Sequence, residues 1–140
     1  MRKLMLLLVM ASCASTLDDP SAILPLSELG PSAPPSAKPF APTAKDIARF
    51  RGALPSTVPP AIASRTSSYY GQFIGYVDAK GQRWVHGNFM CRLHEDEKHF
   101  GRDLWRHKYI AVNDGGDCYF HVEWSPDTNT TRALSVNGDA

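Results

Sequence analysis

The chain has 140 residues and a formal net charge of +1, from 15 basic and 14 acidic side chains. This length indicates one domain, and the near-neutral balance gives no support for nucleic-acid binding, which usually needs a clear basic face. All but one of the prolines lie between Pro20 and Pro60, whereas most aromatic residues lie between Tyr69 and Trp124. The sequence therefore divides into a proline-rich N-terminal part and a small aromatic core.

The N-terminus is typical of an export signal. Arg2 and Lys3 precede an uninterrupted apolar run from Leu4 to Met10, which is much shorter than the roughly 20 residues that span a bilayer. Small residues follow, beginning at Ala11. We expect a signal peptide over residues 1–12 and export of the remaining chain.

The segment Met10-Ala11-Ser12-Cys13 resembles the lipobox of bacterial lipoproteins. The resemblance implies that Cys13 is acylated, becomes the new N-terminus and anchors the protein to the envelope. We expect the anchor to lie in the outer membrane, with the protein facing the periplasm. The alternative is ordinary cleavage at the small residues just after Cys13, which exports the protein without a lipid.

The cysteines also fit an exported protein. There are three of them, and an odd number in such a protein requires an explanation. If Cys13 carries a lipid, Cys91 and Cys118 remain, both at apolar-face positions of predicted strands. An oxidising compartment then favours a disulfide between them, which contributes roughly 3–4 kcal/mol in the chain-entropy model. The alternative is two separate buried thiols.

Residues 13–42 have the composition of a tether. Pro, Ala and Ser dominate the segment from Pro31 to Pro39 and cannot build a core. An extended, polyproline-like spacer of about 3 Å per residue is expected. The alternative is a short docking turn built from the apolar residues Ile23, Leu24, Leu26 and Leu29.

A small α+β domain is expected over residues 43–140, beginning with a helix from Thr43 to Leu54. Thr43 is a good N-cap, and Asp46 follows three residues later, as in a capping box. Pro55 predicts the end of the helix. One face of the helix is apolar and needs a sheet to cover; it carries Ile47, Phe50 and Leu54.

Alternating apolar and polar residues predict the strands of that domain. The Asp114-Gly115-Gly116 turn predicts a tight hairpin between a strand at 109–112 and a strand at 118–124. The fold class is therefore α+β: one antiparallel meander sheet of four to five strands with a single N-terminal helix packed on it. The other predicted strands cover 67–77, 83–92 and 133–136.

The predicted strands place four chemically informative side chains on the mixed face of the sheet. Trp84 and His86 oppose an apolar face, so we expect them to be exposed, and His121 and Glu123 share one strand face near them. An exposed patch of this kind is typical of a partner surface. A histidine beside a carboxylate is also the minimum for acid–base catalysis, so a small exported hydrolase that uses these residues is the alternative.

The segment 94–106 is dense in charge of both signs and is expected to form an exposed loop. His94 and His99 lie five residues apart, so a helix would not place them on one face, and the His-Glu-x-x-His zinc motif is absent. We expect no metal and no other cofactor, and we assign no catalytic residue. Metal binding through these two histidines is the alternative to a binding role.

The C-terminal part contains Asp114-Gly115-Gly116-Asp117, the pair Tyr119-Phe120 and the ending Asn137-Gly138-Asp139-Ala140. With these residues and its lipobox-like N-terminus, the chain resembles small uncharacterised exported lipoproteins of Gram-negative bacteria. The resemblance implies no activity. We therefore expect a binding or structural module of the cell envelope, an inhibitor or accessory factor more than an enzyme. Its expected partners are the membrane, through the lipid, and an envelope protein, with no nucleic acid.

Overall fold

The structure is a computed structural model that describes residues 19–93 and 103–138. Short 3-10 turns at Leu26–Ser32, Thr66–Ser68, Leu104–Arg106 and Gly116–Cys118 connect its regular elements. These elements, in chain order, are β1 (Ser21–Ile23), β2 (Lys38–Pro39), α1 (Ala44–Thr57), α2 (Pro60–Ala63), β3 (Tyr70–Val77), β4 (Arg83–Met90), β5 (Tyr119–Ser125) and β6 (Thr130–Val136).

The elements form one mostly antiparallel sheet with helices packed against it. Strands β3, β4, β5 and β6 are a meander in which each strand pairs antiparallel with the next. Strand β1 adds to the outer edge of β3 in parallel, and β2 pairs antiparallel with the other end of β3. The α+β class is confirmed. The expected four to five strands and single helix are corrected, because β1, β2 and the short α2 were not predicted.

Helix α1 begins as its sequence predicts. The Oγ1 atom of Thr43 accepts a hydrogen bond from the Asp46 amide at 3.1 Å, and the Asp46 carboxylate accepts one from the Thr43 amide at 2.9 Å. The helix continues two residues beyond Pro55. Its last turn is held because Leu54 and Val58 are both buried and the Val58 amide donates to the Leu54 carbonyl at 3.0 Å.

Phe50 is the centre of the core between α1 and the sheet. Its ring centroid lies 5.6 Å from that of Phe73, 5.8 Å from that of Phe89 and 5.5 Å from that of Trp124. Gly87 lies beneath this ring, and a Cβ atom there would come within 2.8 Å of Phe50. The absence of a side chain at position 87 therefore lets the helix approach the sheet closely.

The N-terminal segment packs against the sheet from Ser21 onward, which differs from the expected spacer. Leu24 and Leu29 are buried and pack with Ile74 on the face opposite α1, which we call the second face. The Leu24 amide donates to the Phe73 carbonyl at 2.9 Å. The segment is held because its few apolar residues are spaced to cover this face, so the docking turn stated as the alternative agrees better with the structure.

The segment before β5 also differs from its prediction. No strand lies between residues 103 and 118, and β5 pairs with β4 and β6, so the predicted hairpin with 109–112 is wrong. Side-chain amides satisfy this backbone instead: Gln72 Oε1 accepts from the Ile110 amide at 3.0 Å, and Asn88 Nδ2 donates to its carbonyl at 2.8 Å. The predicted turn glycines do adopt positive φ, 95° at Gly115 and 57° at Gly116.

The disulfide predicted between Cys91 and Cys118 is present. Cys91 follows β4 and Cys118 precedes β5, with their Cα atoms 4.8 Å apart. The Cys91 amide also donates to the Cys118 carbonyl at 2.8 Å, which extends the β4–β5 ladder by one bond. The disulfide therefore joins two strands that are already paired, and it closes the connection that contains the charged segment. Residues 94–102 of that segment lie outside the described residues.

We predict opposite effects of alanine at two glycines. Gly87→Ala destabilises the fold by about 1–3 kcal/mol, because the added methyl group overpacks against the Phe50 ring. Gly52→Ala, on the open side of α1 with no atom within 4 Å of the added carbon, stabilises it by about 0.5–1 kcal/mol through helix propensity. Urea unfolding at neutral pH measures both changes. Equal effects of the two substitutions would contradict the packing described for Phe50.

We also predict the contribution of the disulfide. Replacing Cys91 and Cys118 together by alanine lowers the free energy of unfolding by about 3.5 kcal/mol, because a loop of this length gains that much entropy in the unfolded chain. Cys13→Ser is the control and leaves the unfolding midpoint of the oxidised protein unchanged. A loss below about 1 kcal/mol in the double variant would show that the disulfide is not a main source of stability.

Candidate functional site

The sheet register brings the predicted site residues together on the second face. His86 on β4 lies opposite Glu123 on β5, and Asn88 lies opposite His121. Trp84 lies two residues from His86 along the same strand and is therefore on the same face. The expectation that these residues are neighbours across the sheet agrees with the structure.

The second face is nevertheless largely covered by the protein itself. Leu24 and Leu29 cover Ile74. Trp105, which belongs to the segment after residue 103, packs in a second cluster that includes Met90.

Trp84 is only 6% exposed and His86 is partly buried, so the expectation that both are exposed is wrong. Trp84 is covered instead by Arg132, whose guanidinium lies 3.5 Å from the centre of its ring, and its Nε1 atom donates to the Asp78 carboxylate at 3.0 Å.

His86 is a partly buried histidine that stays uncharged. Its Nε2 atom lies 2.9 Å from the hydroxyl of Tyr109, and its ring centroid lies 5.6 Å from that of His121. Burial, and secondarily the charge of His121, lower the pKa of His86 to about 4. Burial also raises the pKa of Tyr109 to about 12. At neutral pH this pair is therefore a neutral imidazole bonded to a neutral phenol.

Glu123 is engaged by partners other than the histidines. Its carboxylate accepts a hydrogen bond from the Tyr76 hydroxyl and forms an ion pair with Arg132 at 3.4 Å. Burial, followed by the bond to Glu123, raises the pKa of Tyr76. The Arg132 guanidinium stacks over the Trp84 ring, 3.5 Å from its centroid. The carboxylate therefore has a cation and a phenol as its partners, and no hydrogen bond joins it to His86 in the described residues.

Two buried amides hold the loop over this face, and sequence reasoning missed them. Gln72 is fully buried, and its Nε2 atom donates to the Trp105 and Lys108 carbonyls, both at 2.6 Å. Asn88 Nδ2 donates to Gln72 Oε1 at 2.9 Å. The sequence feature that could have indicated this pair is two amide side chains on the same face of neighbouring strands, because buried amides require hydrogen-bond partners.

A small cleft of about 190 Å³ opens beside His121, between the 109–113 segment and β5. Asn88, Tyr109 and Asn137 contribute polar atoms to its walls, but Asn137 Nδ2 already donates to the Asp114 carbonyl at 3.0 Å. Most small-molecule sites occupy about 300–1,000 Å³. The cleft therefore has room for a few atoms, and most of the polar groups around it are already hydrogen-bonded.

The part of the chain that the structure describes contains no cluster of metal-ligating side chains. Among residues 19–93 and 103–138, no group of three histidine, cysteine or acidic side chains could hold a metal ion. His107 is exposed. The candidates His94 and His99 lie outside the described residues, so the structure does not test the metal-binding alternative.

A second surface, which the sequence did not indicate, lies at the opposite edge of the sheet from β1. A polar groove of about 640 Å³ runs between α1 and the turn that enters β6. The Thr57 and Thr131 hydroxyls lie 3.3 Å apart, and Arg49 packs over the Trp124 ring at 5.1 Å. The groove is lined by Arg49, Gly52, Ala53, Ser56, Thr57, Asn129, Thr130 and Thr131.

Comparisons of the chain with protein-family models, curated proteins and solved structures gave no match. The resemblance to exported lipoproteins therefore stays a prediction. In the described part of the chain, no helix is long and apolar enough to cross a membrane.

We predict that His86 makes the fold sensitive to acid. Because its pKa is lowered in the folded state, the unfolded chain binds the proton more readily once the pH falls below about 6.5. The free energy of unfolding should then decrease until the pH reaches about 4, by about 3 kcal/mol. Unfolding titrations of the native protein and His86→Gln at several pH values measure this difference.

The matched control is His107→Gln, which removes an exposed histidine and should follow the native pH dependence. The carboxyl pKa values of Asp78 and Asp127 are lowered by hydrogen bonds, and their contributions are lost only at lower pH. Identical pH profiles for the native protein and His86→Gln would contradict the burial of an uncharged imidazole.

Proposed function

We propose that this protein is a lipoprotein of the cell envelope that acts as a binding module for another envelope protein, and not as a hydrolase that pairs a sheet-face histidine with Glu123. The observation that carries the proposal is the state of the second face. A hydrolase would need the imidazole of His86 or His121 to work with the Glu123 carboxylate. Instead, His86 is bonded to Tyr109, and Glu123 is bonded to Tyr76 and Arg132.

The cysteines support the envelope part of the proposal. Cys91 and Cys118 form a disulfide, a bond that persists in oxidising compartments such as the periplasm. The chain has one further cysteine, Cys13, at the end of the lipobox-like segment. The disulfide accounts for two of the three cysteines, and the proposed acylation accounts for the third.

The partner surface that we favour is the outer side of β6. Strand β6 is the last strand in the sheet order, and its side chains are mostly exposed, including Leu134 at 38%. The polar groove beside α1 continues this surface, which we call the β6 surface and define by Arg49, Thr57, Thr130, Thr131 and Leu134. Open edges and their side chains are used for protein recognition.

Two residues of the predicted partner surface lie on β5, the strand next to β6. Arg132 on β6 pairs with Glu123, and Ser135 pairs with His121, so these two predicted residues are adjacent to β6 but lie on the second face of the sheet. A register shift between His121 and Glu123, with Ala133 at a φ of 55°, interrupts the strand. Because a bulge discourages uncontrolled strand addition, recognition here depends on side chains more than on an added strand.

We predict that a photoreactive amino acid at Leu134 or Thr130 crosslinks to the same envelope protein in intact cells. The control position is Ala79, which is also exposed, in the turn between β3 and β4. Mass spectrometry of the adducts measures the outcome. Adducts of the same composition from Ala79 would mean that the β6 surface is not a specific partner site.

The hydrolase alternative has its own test. His86→Gln combined with His121→Gln should leave both the crosslink and the cellular phenotype intact. The free energy of unfolding at neutral pH is measured in parallel to show that the variant is folded. Loss of the phenotype in a folded variant would favour catalysis over the binding role.

A further inference from the structure

The chain packs against the rest of the protein from Asp19 onward, whereas its composition predicts a spacer that continues to residue 42. The Ser21 amide donates to the Asp19 carboxylate at 3.0 Å, and Arg106 donates to the Asp19 carbonyl at 2.9 Å. Arg51 donates to the Pro20 carbonyl at 2.9 Å and to the Ser21 hydroxyl at 3.0 Å. Two arginines from different parts of the chain therefore fix its path from Asp19 onward.

This early attachment shortens the connection to the proposed lipid. Six peptide steps separate Cys13 from Asp19, and fully extended they reach about 20 Å. A spacer that continued to residue 42 would have reached roughly 90 Å at about 3 Å per residue. A domain of this size has a diameter of about 35 Å, estimated from its radius of gyration. The connection is thus shorter than the domain, so the side that carries Asp19 must stay near the membrane.

That side of the protein carries an exposed apolar surface. Ile23 is 47% exposed, and two shallow grooves of about 340 and 330 Å³ meet at it. The first groove lies against α1, and the second lies between β1 and β2. We call this surface the edge patch and define it by Ile23, Leu26, Phe40, Ala44 and Ala48.

Charge around the edge patch suits a phospholipid surface. Lys38 on β2 and Lys45 on α1 are both exposed. Apolar side chains with basic residues beside them are typical of surfaces that lie at the headgroup region of a membrane. Among the residues that line the two grooves, Asp19 is acidic and Arg51 is basic, and Asp19 is where the connection to the anchor begins.

We infer that the edge patch rests on the phospholipid bilayer, with Ile23 at the level of the headgroups. This inference depends on the proposed acylation of Cys13. In the sheet order, β6 lies at the other end from β1. The same orientation therefore directs the β6 surface away from the membrane, where an envelope partner can reach it.

The experiment uses the full-length acylated protein in phospholipid vesicles that carry a lipid-attached fluorescence quencher. One fluorophore is attached at Ile23→Cys and, in a separate protein, at Leu134→Cys, which is the matched exposed position on β6. We expect the fluorophore at position 23 to be quenched several-fold more strongly than the one at position 134. Equal quenching at the two positions would overturn the inferred orientation.

A second pair of variants tests whether the apolar surface itself contacts lipid. With the fluorophore at Ala48→Cys, Ile23→Asp should reduce the quenching several-fold, because the carboxylate resists burial in the headgroup region. Leu134→Asp is the control and should leave the quenching unchanged. Unchanged quenching in Ile23→Asp would show that a protein or solvent, and not lipid, faces the patch.

Mass spectrometry of the purified protein separates the two proposals. If Cys13 carries acyl chains and the two fluorophores are quenched equally, the lipoprotein proposal stands and the orientation is wrong. If Cys13 carries no acyl chain, the anchor is wrong, and the orientation that depends on it is overturned as well.

Discussion

The burial of strand β3 on both faces is the constraint on which the rest of this structure depends. Every residue from Gly71 to Tyr76 is buried, so both sides of the sheet need a cover. Helix α1 covers one side through Phe50. A second helix of similar length is not available among the described residues, so the N-terminal segment and the 103–113 segment cover the other. The apolar residues Leu24 and Leu29 of the N-terminal segment therefore belong to the core of the fold, whereas the proline-rich residues 31–39 are not buried.

Local sequence patterns predicted the parts of the fold that local interactions determine. The capping box at Thr43, the alternation in β4 and β5, and the disulfide all follow from spacing that can be counted in the sequence. The cover of the second face could not be predicted in this way. Its main anchor is Gln72, whose amide bonds to residues more than 30 positions later, and no local pattern reports such a contact. The strand pattern placed Trp84 and His86 on the correct face, but the exposure of Trp84 was wrongly predicted because its cover, Arg132, lies two strands later in the chain.

The polar side chains of the second face show how competition among partners determines chemistry. His86 and Glu123 are directly opposite in the sheet, which is the arrangement that favours an acid–base pair. However, Arg132 supplies a full charge to Glu123, and Tyr76 donates a hydrogen bond to it. A neutral imidazole interacts less favourably with a carboxylate than a guanidinium and a phenol hydroxyl do together. Burial then favours the neutral form of His86, because an unpaired buried charge is unfavourable.

The positions of the two sheet edges connect the membrane anchor to the partner surface. Four strand-to-strand steps separate β1 from β6 in the sheet order, which places them about 19 Å apart at the usual spacing. If the edge patch lies on the bilayer, strand β6 lies at about that height above it. An extended spacer would have let the domain move several times farther from the membrane. The short connection instead restricts the protein to partners whose binding surfaces lie close to the same membrane, which raises their effective concentration without any additional contact.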